Sequence, residues 1–380
     1  MGYLICNRCI LDSSTPNIYF NSEGNCNYCC EFVDLLANKS LHANSVHRQH
    51  KLEELVLQIK SEGARKPYDC IIGVSGGVDS SWTLYSAIKL GLRPLAVHMD
   101  NGWNSELAVN NISNLIDELD VDLHTYVIEW QEYRDLMEAF FAADVIDVEL
   151  LYDNAMLAVC YEQAKRYSIH YILAGSNTST EGMRMPYGWS WRDKWDAKNI
   201  KSIANWRNVT VSSLPTFSNI DWLKFKFISR ISWVPFLDYL EDYNKFDALQ
   251  QLENKFGVQP YPYKHYENVF TRFYQGFILP EKFNVDKRKV HLSSLIITGQ
   301  IERGDALEIL KHIPYPTLGE LEQDKDYFLK KMGWSESDLN NYINRPERFH
   351  NEWETDFIRK WIWPILTFIN KLFLRRSMKK

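Results

Sequence analysis

Apolar residues along the first half of the chain fall into short runs separated by helical stripes. Cys70-Ile71-Ile72-Gly73-Val74 is a continuous apolar run of strand length and predicts a buried strand. Asp79 to Leu90 then predicts a helix that stops at Gly91. The alternation continues with a strand over Arg93–Met99, a helix over Ser105–Leu119, a strand over Leu123–Ile128 and a helix over Gln131–Ala143. A further strand is predicted over His170–Ala174. Strand and helix in strict turn predict an α/β fold with a doubly wound parallel sheet, whose ligands bind at the carboxyl ends of the strands.

The pattern changes towards the carboxyl end. From Met183 to Trp233 the chain is rich in Trp, Tyr, Phe, Arg and Lys without a clear period, including Trp189, Trp191, Trp195 and Trp206. Residues 303–345 have helical periodicity interrupted by Pro314 and Pro316. Trp361 to Leu374 is apolar apart from Thr367, Asn370 and Lys371, and is bracketed by Arg359, Lys360, Arg375, Arg376, Lys379 and Lys380. As a helix those residues would extend about 21 Å, too short to cross a bilayer core of about 30 Å. Such a segment either docks on protein or lies on the inner membrane surface. The expected organisation is a knuckle over 1–35, a helical linker over 36–66, a sheet domain over 67–300 with its aromatic insertion at 183–233, and a helical region over 301–380.

The 380 residues are 45% hydrophobic and 24% charged, enough for two or three units with real cores, which excludes global disorder. The net charge is −6, but the last 25 residues hold seven bases and one acid, so the body nets −12. A body that acidic repels a polyphosphate backbone, so a small substrate is expected and no nucleic-acid partner. Neither a signal pattern nor an apolar run of membrane-spanning length is visible, so the expected location is cytoplasmic, with peripheral contact at the inner membrane through 359–380.

Four of the seven cysteines form Cys6-x2-Cys9 and Cys26-x2-Cys29, the spacing of a structural four-thiolate zinc site. Cys30 follows Cys29 directly, and spacing does not decide which of them is the fourth ligand.

Between the first strand and its helix lies Ser75-Gly76-Gly77-Val78-Asp79-Ser80-Ser81. Two glycines let the backbone approach a ligand and turn its N–H groups inward, and the helix start adds positive potential, so the loop suits pyrophosphate. It is neither a Walker loop nor a dinucleotide fingerprint. It resembles the PP-loop of ATP pyrophosphatases, which split ATP between the α and β phosphates. In that resemblance, Asp100 and Asn101 at the end of the second strand contact adenine and ribose, although both are also ordinary turn and cap residues. Gly175-Ser176-Asn177-Thr178-Ser179-Thr180-Glu181 borders the nucleotide through Gly175 and Asn177, and Asp79 and Glu181 are magnesium candidates, Glu181 being open to a capping role instead.

The full order, from the four-cysteine knuckle through SGGVDSS, the stretch His98-Met99-Asp100-Asn101-Gly102-Trp103-Asn104-Ser105 and the aromatic insertion to Asp286-Lys287-Arg288-Lys289-Val290-His291-Leu292-Ser293, resembles the N-acetyl sugar amidotransferases of bacterial surface-polysaccharide biosynthesis. The resemblance covers most of residues 1–315 and implies conversion of an acetamido group to an acetamidino group, with ATP, Mg2+ and structural Zn2+. It gives work at the phosphates to Asp79, Lys287 and Arg288, the two cations being open instead to a place in a solvated basic run at a helix start. Trp103, Arg184 and Arg192 are substrate candidates, the arginines for a sugar-linked phosphate or carboxylate, and the insertion either closes over the sugar or packs as an elaboration or dimer contact. The sugar would be nucleotide- or lipid-linked. No Gly-x-Cys-x-Gly glutaminase elbow is recognisable, so a separate glutaminase subunit, with a cyclase-like channel subunit as the family suggests, is the expected ammonia source. The rival is a tRNA 2-thiolation enzyme using the same adenylation, which needs sulfur-handling cysteines, whereas only Cys160 follows the loop.

Overall fold

The computed structural model describes residues 2–38, 45–191, 193–241, 243–264 and 266–356. After α1 (Asn27–Asn38) and α2 (Ser45–Gly63), the chain alternates β1 (Cys70–Gly73), α3 (Val78–Lys89), β2 (Pro94–Asp100), α4 (Glu106–Leu119), β3 (Leu123–Val127), α5 (Trp130–Ala142), α6 (Leu150–Arg166) and β4 (Tyr171–Ala174). The predicted strands and helices of this region begin and end within one residue of these bounds. The one-turn α7 (Thr178–Glu181), α8 (Ala197–Trp206) and α9 (Asn219–Phe227) precede β5 (Ser232–Pro235). Then come α10 (Lys245–Phe256), α11 (Val269–Phe273), a π turn over Tyr274–Ile278, α12 (Leu279–Phe283), α13 (Arg288–Ile297), α14 (Arg303–Lys311), α15 (Leu318–Met332) and α16 (Glu336–Asn344).

The five strands form one parallel sheet in the order β3-β2-β1-β4-β5. Its strand order reverses between β1 and β4, so the loops after these two strands diverge and open a crevice at their carboxyl ends. Alternation along the pleat sends side chains to two cores. Ile71, Val97 and Ile172 face Leu151, Ala155 and Val159 of α6, while Ile72, Ala96 and Leu173 face Leu84 of α3 and Ile112 of α4. β1 is buried on both faces, which is why it reads as a continuous apolar run, whereas edge strand β3 leaves Val127 exposed.

α2 lies in the expected linker but packs on the sheet through Leu52, Val56 and Ile59, and its Glu62 accepts from His170 Nδ1 (2.6 Å) and the Tyr171 hydroxyl (2.8 Å). The helical C-terminal region closes over the other face. There Lys331 lies over the rings of Trp103 (4.7 Å), Trp130 (4.6 Å) and Tyr327 (5.3 Å) and donates to the carbonyl of Gly102, fastening α15 to the end of β2. Among the described residues no helix is long and apolar enough to cross a membrane, and the basic apolar segment at 359–380 lies outside the described residues.

Candidate active site

The loop after β1 is built from its own hydroxyls. Ser80 Oγ accepts from the Ser75 amide (3.2 Å) and donates to Gly77 O (3.1 Å), while Ser75 Oγ accepts from the Gly77 amide (3.3 Å). Gly76 has φ +83°, and a Cβ there would meet Ala108 O at 3.0 Å, so the turn requires glycine for both conformation and space. Gly175 has a different reason. A Cβ at this end of β4 would lie 2.9 Å from the Ser80 amide nitrogen, so its absence lets the two loops of the crevice touch.

Over this loop lies a cavity of about 690 Å³ lined by Ser75, Gly77, Val78, Asp79 and Ser80 on one side and by Gly175, Ser176, Thr180 and Glu181 on the next. Asp79 accepts from the Tyr243 hydroxyl, and Glu181 from Lys264 Nζ. Lys245 and Lys264 also line the cavity. Burial lowers the pKa of Lys245 despite the pull of Asp79, Glu267 and Glu181. For Lys264, burial is outweighed by Glu181 and Asp79, which hold its ammonium above the ordinary range. Burial, together with the carboxylate of Asp79, raises the Tyr243 phenol well above its usual value. Beside a loop shaped for phosphate the crevice therefore brings together Lys245 and Lys264 with the carboxylates of Asp79, Glu181 and Glu267. The carboxylates are hard oxygen donors of the kind magnesium takes alongside phosphates.

Most of the rest of the lining comes from beyond residue 260, beginning beside the loop, where the Tyr261 hydroxyl donates to Gly76 O (3.1 Å). Tyr261, Glu267, Arg272, Gln275, Lys287, Arg288 and His291 all line the cavity. Lys287 Nζ lies 2.9 Å from Glu149 Oε2, and Gln275 Nε2 donates to both oxygens of that carboxylate at 2.9 and 3.0 Å. Arg288 binds Asp286 through Nη2 (2.8 Å) and the carbonyl of His312 through Nη1 (2.9 Å), so it holds the end of α14 while facing the cavity. Arg272 pairs with Asp324 of α15.

The amino-terminal knuckle braces this wall. Sγ of Cys6, Cys9, Cys26 and Cys29 lie within 4.8 Å of one another and are buried, whereas Cys30 is outside the cluster, so Cys29 is the fourth member. Cys6 and Cys29 Sγ are 3.6 Å apart, as are Cys9 and Cys26 Sγ. Tetrahedral zinc with bonds of about 2.3 Å sets its sulfurs about 3.8 Å apart, so the cluster fits that ion. Amides of Cys9 (3.4 Å) and Cys26 (3.1 Å) donate to Cys6 Sγ, as thiolates require. The knuckle grips α13 and its neighbour: the Ile10 amide donates to Ser293 Oγ (3.3 Å), Lys289 pairs with Asp12 (2.6 Å), and Arg303 donates to the carbonyls of Cys9 (2.9 Å) and Cys6 (2.8 Å).

Several residues singled out in the sequence lie elsewhere. Ser81 is buried beneath the loop. Asp100 Oδ1 accepts from the Gly102 amide (2.7 Å), and Asn101 Oδ1 accepts from the Trp103 amide (3.1 Å) and Asn268 Nδ2 (3.1 Å), so both shape a turn outside the cavity lining. That turn drives Trp103 inward, where it is fully buried against Trp130, Phe270 and Phe328 and away from the cavity. Asn177 caps α7, accepting from the Thr180 amide at 2.8 Å. Arg184 holds Glu31 at 3.0 Å and lies 4.6 Å over the Tyr28 ring, steadying the knuckle outside the cavity lining. Arg192 lies outside the described residues. Among the described residues of the aromatic insertion only Trp233 reaches the cavity; Trp195 stacks on Trp222 and Trp191 on His350, so these rings pack as an elaboration rather than closing over the crevice. Glu149, Tyr243, Lys245, Tyr261, Lys264, Glu267 and Gln275 were not singled out in the sequence, because no local motif marks them.

Residues 267–368 match the family described as LPS biosynthesis protein WbpG-like, C-terminal domain. A search of curated protein sequences finds no match. Among solved structures, the chain is similar to the NMN synthetase of Francisella tularensis at 15% identity, over 59% of this chain and 99% of that one, with a TM-score of 0.30. It is similar to the NH3-dependent NAD synthetase of Campylobacter jejuni subsp. jejuni NCTC 11168 at 14% identity, over 58% and 100%, with a TM-score of 0.29. It is also similar to a 4-thiouridine synthetase in complex with RNA and ATP at 14% identity, over 50% and 41%, with a TM-score of 0.29. The cavity-lining residues from Glu267 to His291 thus fall within the stretch that matches the WbpG-like C-terminal domain family, set against a parallel α/β sheet with the SGGVDSS loop at its switch point.

Proposed function

We propose that the chain is an ATP-dependent, AMP-forming amidotransferase that converts a sugar acetamido group to an acetamidino group in surface-polysaccharide biosynthesis. One observation carries the reading: a single cavity is walled on one side by the SGGVDSS loop and on the other by residues of the WbpG-like domain. A phosphate cradle thereby faces the part of the chain that resembles lipopolysaccharide enzymes.

An amide oxygen is a poor leaving group until it is bound to phosphorus. The acetamido oxygen attacks the α-phosphorus of ATP, and the bond to the bridging oxygen breaks. Pyrophosphate leaves into the cradle formed by Ser75, Gly77 and Ser80. Ammonia then attacks the imidate carbon, AMP leaves with the former amide oxygen, and the nitrogen gives up its extra protons. Lys245, Lys264 and Lys287 supply positive charge around the departing pyrophosphate. Magnesium, held by Asp79 and Glu181 together with phosphate oxygens, would neutralise developing charge on the leaving group. Zinc in the knuckle has a structural task, holding the α13 wall. A separate glutaminase subunit, with a cyclase-like channel subunit, supplies the ammonia.

The thiolation alternative lacks its sulfur chemistry. Cys160 does line the cavity, but burial pushes its thiol up to about 12, and Cys70 is buried within β1, likewise with its pKa raised. Incubation with MgATP, ammonium chloride and a panel of nucleotide-linked diacetamido sugars tests the reading. Sugar-dependent AMP release with oxygen replaced by NH in the product supports it. AMP release that instead requires tRNA and a sulfur donor overturns it.

A further inference from the structure

α9 is apolar on two sides. Its inner side chains are held, with Trp222 stacked on Trp195 (5.2 Å) and Phe225 against Tyr161 (5.1 Å). On its outer side Ile220, Lys224, Phe227 and Ile228 follow the spacing i, i+4, i+7, i+8, which places them in one stripe. All four are exposed; Ile228 is 78% exposed, Phe227 55% and Ile220 48%. Three large apolar side chains on one stripe mark a face that meets something other than water.

The charge around the stripe identifies what it meets. Lys224, Lys226 and Arg230 are exposed at its lower end, and Lys226 Nζ lies over the rings of Trp222 (4.7 Å) and Phe227 (5.8 Å). The one acid on the helix, Asp221, is spent in the capping box with Ser218 and lies 3.6 Å from Lys224. The same flank is where the described chain ends. The Asp356 amide donates to Asp196 Oδ1 (3.0 Å), and the segment holding Asp196 touches α9 through Trp195 on Trp222 and through Asn219 Nδ2 to Asp193 (3.4 Å). Residues 357–380, which follow, contain seven bases and no acid.

We propose that the outer face of α9 rests on an anionic lipid bilayer, with Phe227 and Ile228 entering the headgroup region and Lys224, Lys226 and Arg230 meeting lipid phosphates. Charge selects this occupant. The chain's own terminal residues are basic and repel the patch, and a second copy would set basic face against basic face. An acidic protein would need about 800 Å² of surface on each partner, far more than the roughly 14 by 10 Å outer face of a nine-residue helix. A bilayer requires no matching shape.

Hydrogen exchange on the full chain, alone and with vesicles, tests the placement. Phosphatidylcholine vesicles containing phosphatidylglycerol are expected to slow exchange over residues 220–231, and phosphatidylcholine alone is not. Replacing Lys224, Lys226 and Arg230 together by Gln should weaken partition onto the anionic vesicles on the order of 100-fold, at about fivefold per charge. Phe227→Gln/Ile228→Gln, both exposed and harmless to the core, should abolish the protection. If the chain sediments with anionic vesicles while exchange over 220–231 stays unchanged, the proposal fails, since binding then runs through another segment. It fails equally if protection grows with protein concentration without vesicles, or appears only with an acidic protein.

Discussion

Replacing Lys287 by Met separates what this residue does for the fold from what it does for the reaction. Its ammonium lies 2.9 Å from Glu149 Oε2, with side chains only 11% and 10% exposed, so removing it leaves a carboxylate out of water. Breaking one partner of such a pair costs about 3–5 kcal/mol. Gln275 still donates to both oxygens of Glu149, a charge-assisted contact, which puts the expected loss near the lower end, about 3 kcal/mol. In Lys287→Met/Glu149→Gln no buried charge is stranded, and the amide at position 149 can still accept from Gln275. That double variant should therefore be the more stable of the two, within about 1 kcal/mol of the parent. Catalysis should behave differently: a preorganised cation beside the leaving pyrophosphate is worth about 100- to 1000-fold, and neither variant restores it. Urea midpoints followed by tryptophan fluorescence measure the first effect, and single-turnover AMP formation the second. Equal stability of parent and single variant would refute the buried pair. Recovery of AMP formation in the double variant would refute the catalytic role and leave Lys287 as a counter-ion for Glu149.

Two further outcomes follow from the knuckle and from a buried histidine. Cys26→Ser should reduce bound zinc from about one ion per chain to almost none and, through the loosened contacts to α13, lower AMP formation as well; metal analysis of the purified protein checks it, and a folded, active parent free of zinc would sink it. His350, buried beside Trp191, has its pKa pushed down to about 4 by burial, with Lys194 adding to the effect and Asp147 opposing it. Its Nε2 accepts from the Asp147 amide (3.3 Å), so Nδ1 carries the proton and donates to Asn199 Oδ1 (2.7 Å). The unfolded chain takes up this proton near pH 6.5 and the folded chain only near 4, so stability falls as pH drops through that window, by up to about 3 kcal/mol. Asp196, raised to about 6 chiefly by burial, acts in the opposite direction between about pH 4 and 6, so the readout is the difference between the parent and His350→Gln, in which Asp196 cancels. Parallel stability curves for the two from pH 4 to 6.5 would contradict it.

The side of the crevice made by the sheet was legible because its residues are neighbours in sequence. A buried run, two glycines and a helix start lie within about twenty residues, and each has a local reason to be there. The cysteine pairs were legible for the same reason, although only packing separates Cys29 from Cys30. Asp100, Asn101 and Trp103 sit at a strand end, where sequence position promises a ligand, yet Asn268 and Phe270, more than 160 residues later, claim Asn101 and Trp103 for the interior. Arg184 likewise reads as an anion binder until Glu31 is brought to it. These partners belong to no period and no motif, so only the folded chain reveals them.

The same distinction bears on how the site divides its work. The SGGVDSS loop rests on the parallel sheet, where the loop after β1 and the loop after β4 touch at Gly175. The opposite wall rests on α13 and the turns before it, held by the knuckle at Lys289 and Ser293, by Glu149 at Lys287 and by Arg288 on the end of α14. A change within the SGGVDSS loop should therefore affect every substrate alike, because it alters the cradle for pyrophosphate. On the proposed function, a change at His291, which lines the cavity from α13, should instead alter which sugar is accepted while leaving pyrophosphate release intact. If this wall chooses the sugar, as the proposed function has it, the integrity of the knuckle belongs to specificity as much as to folding.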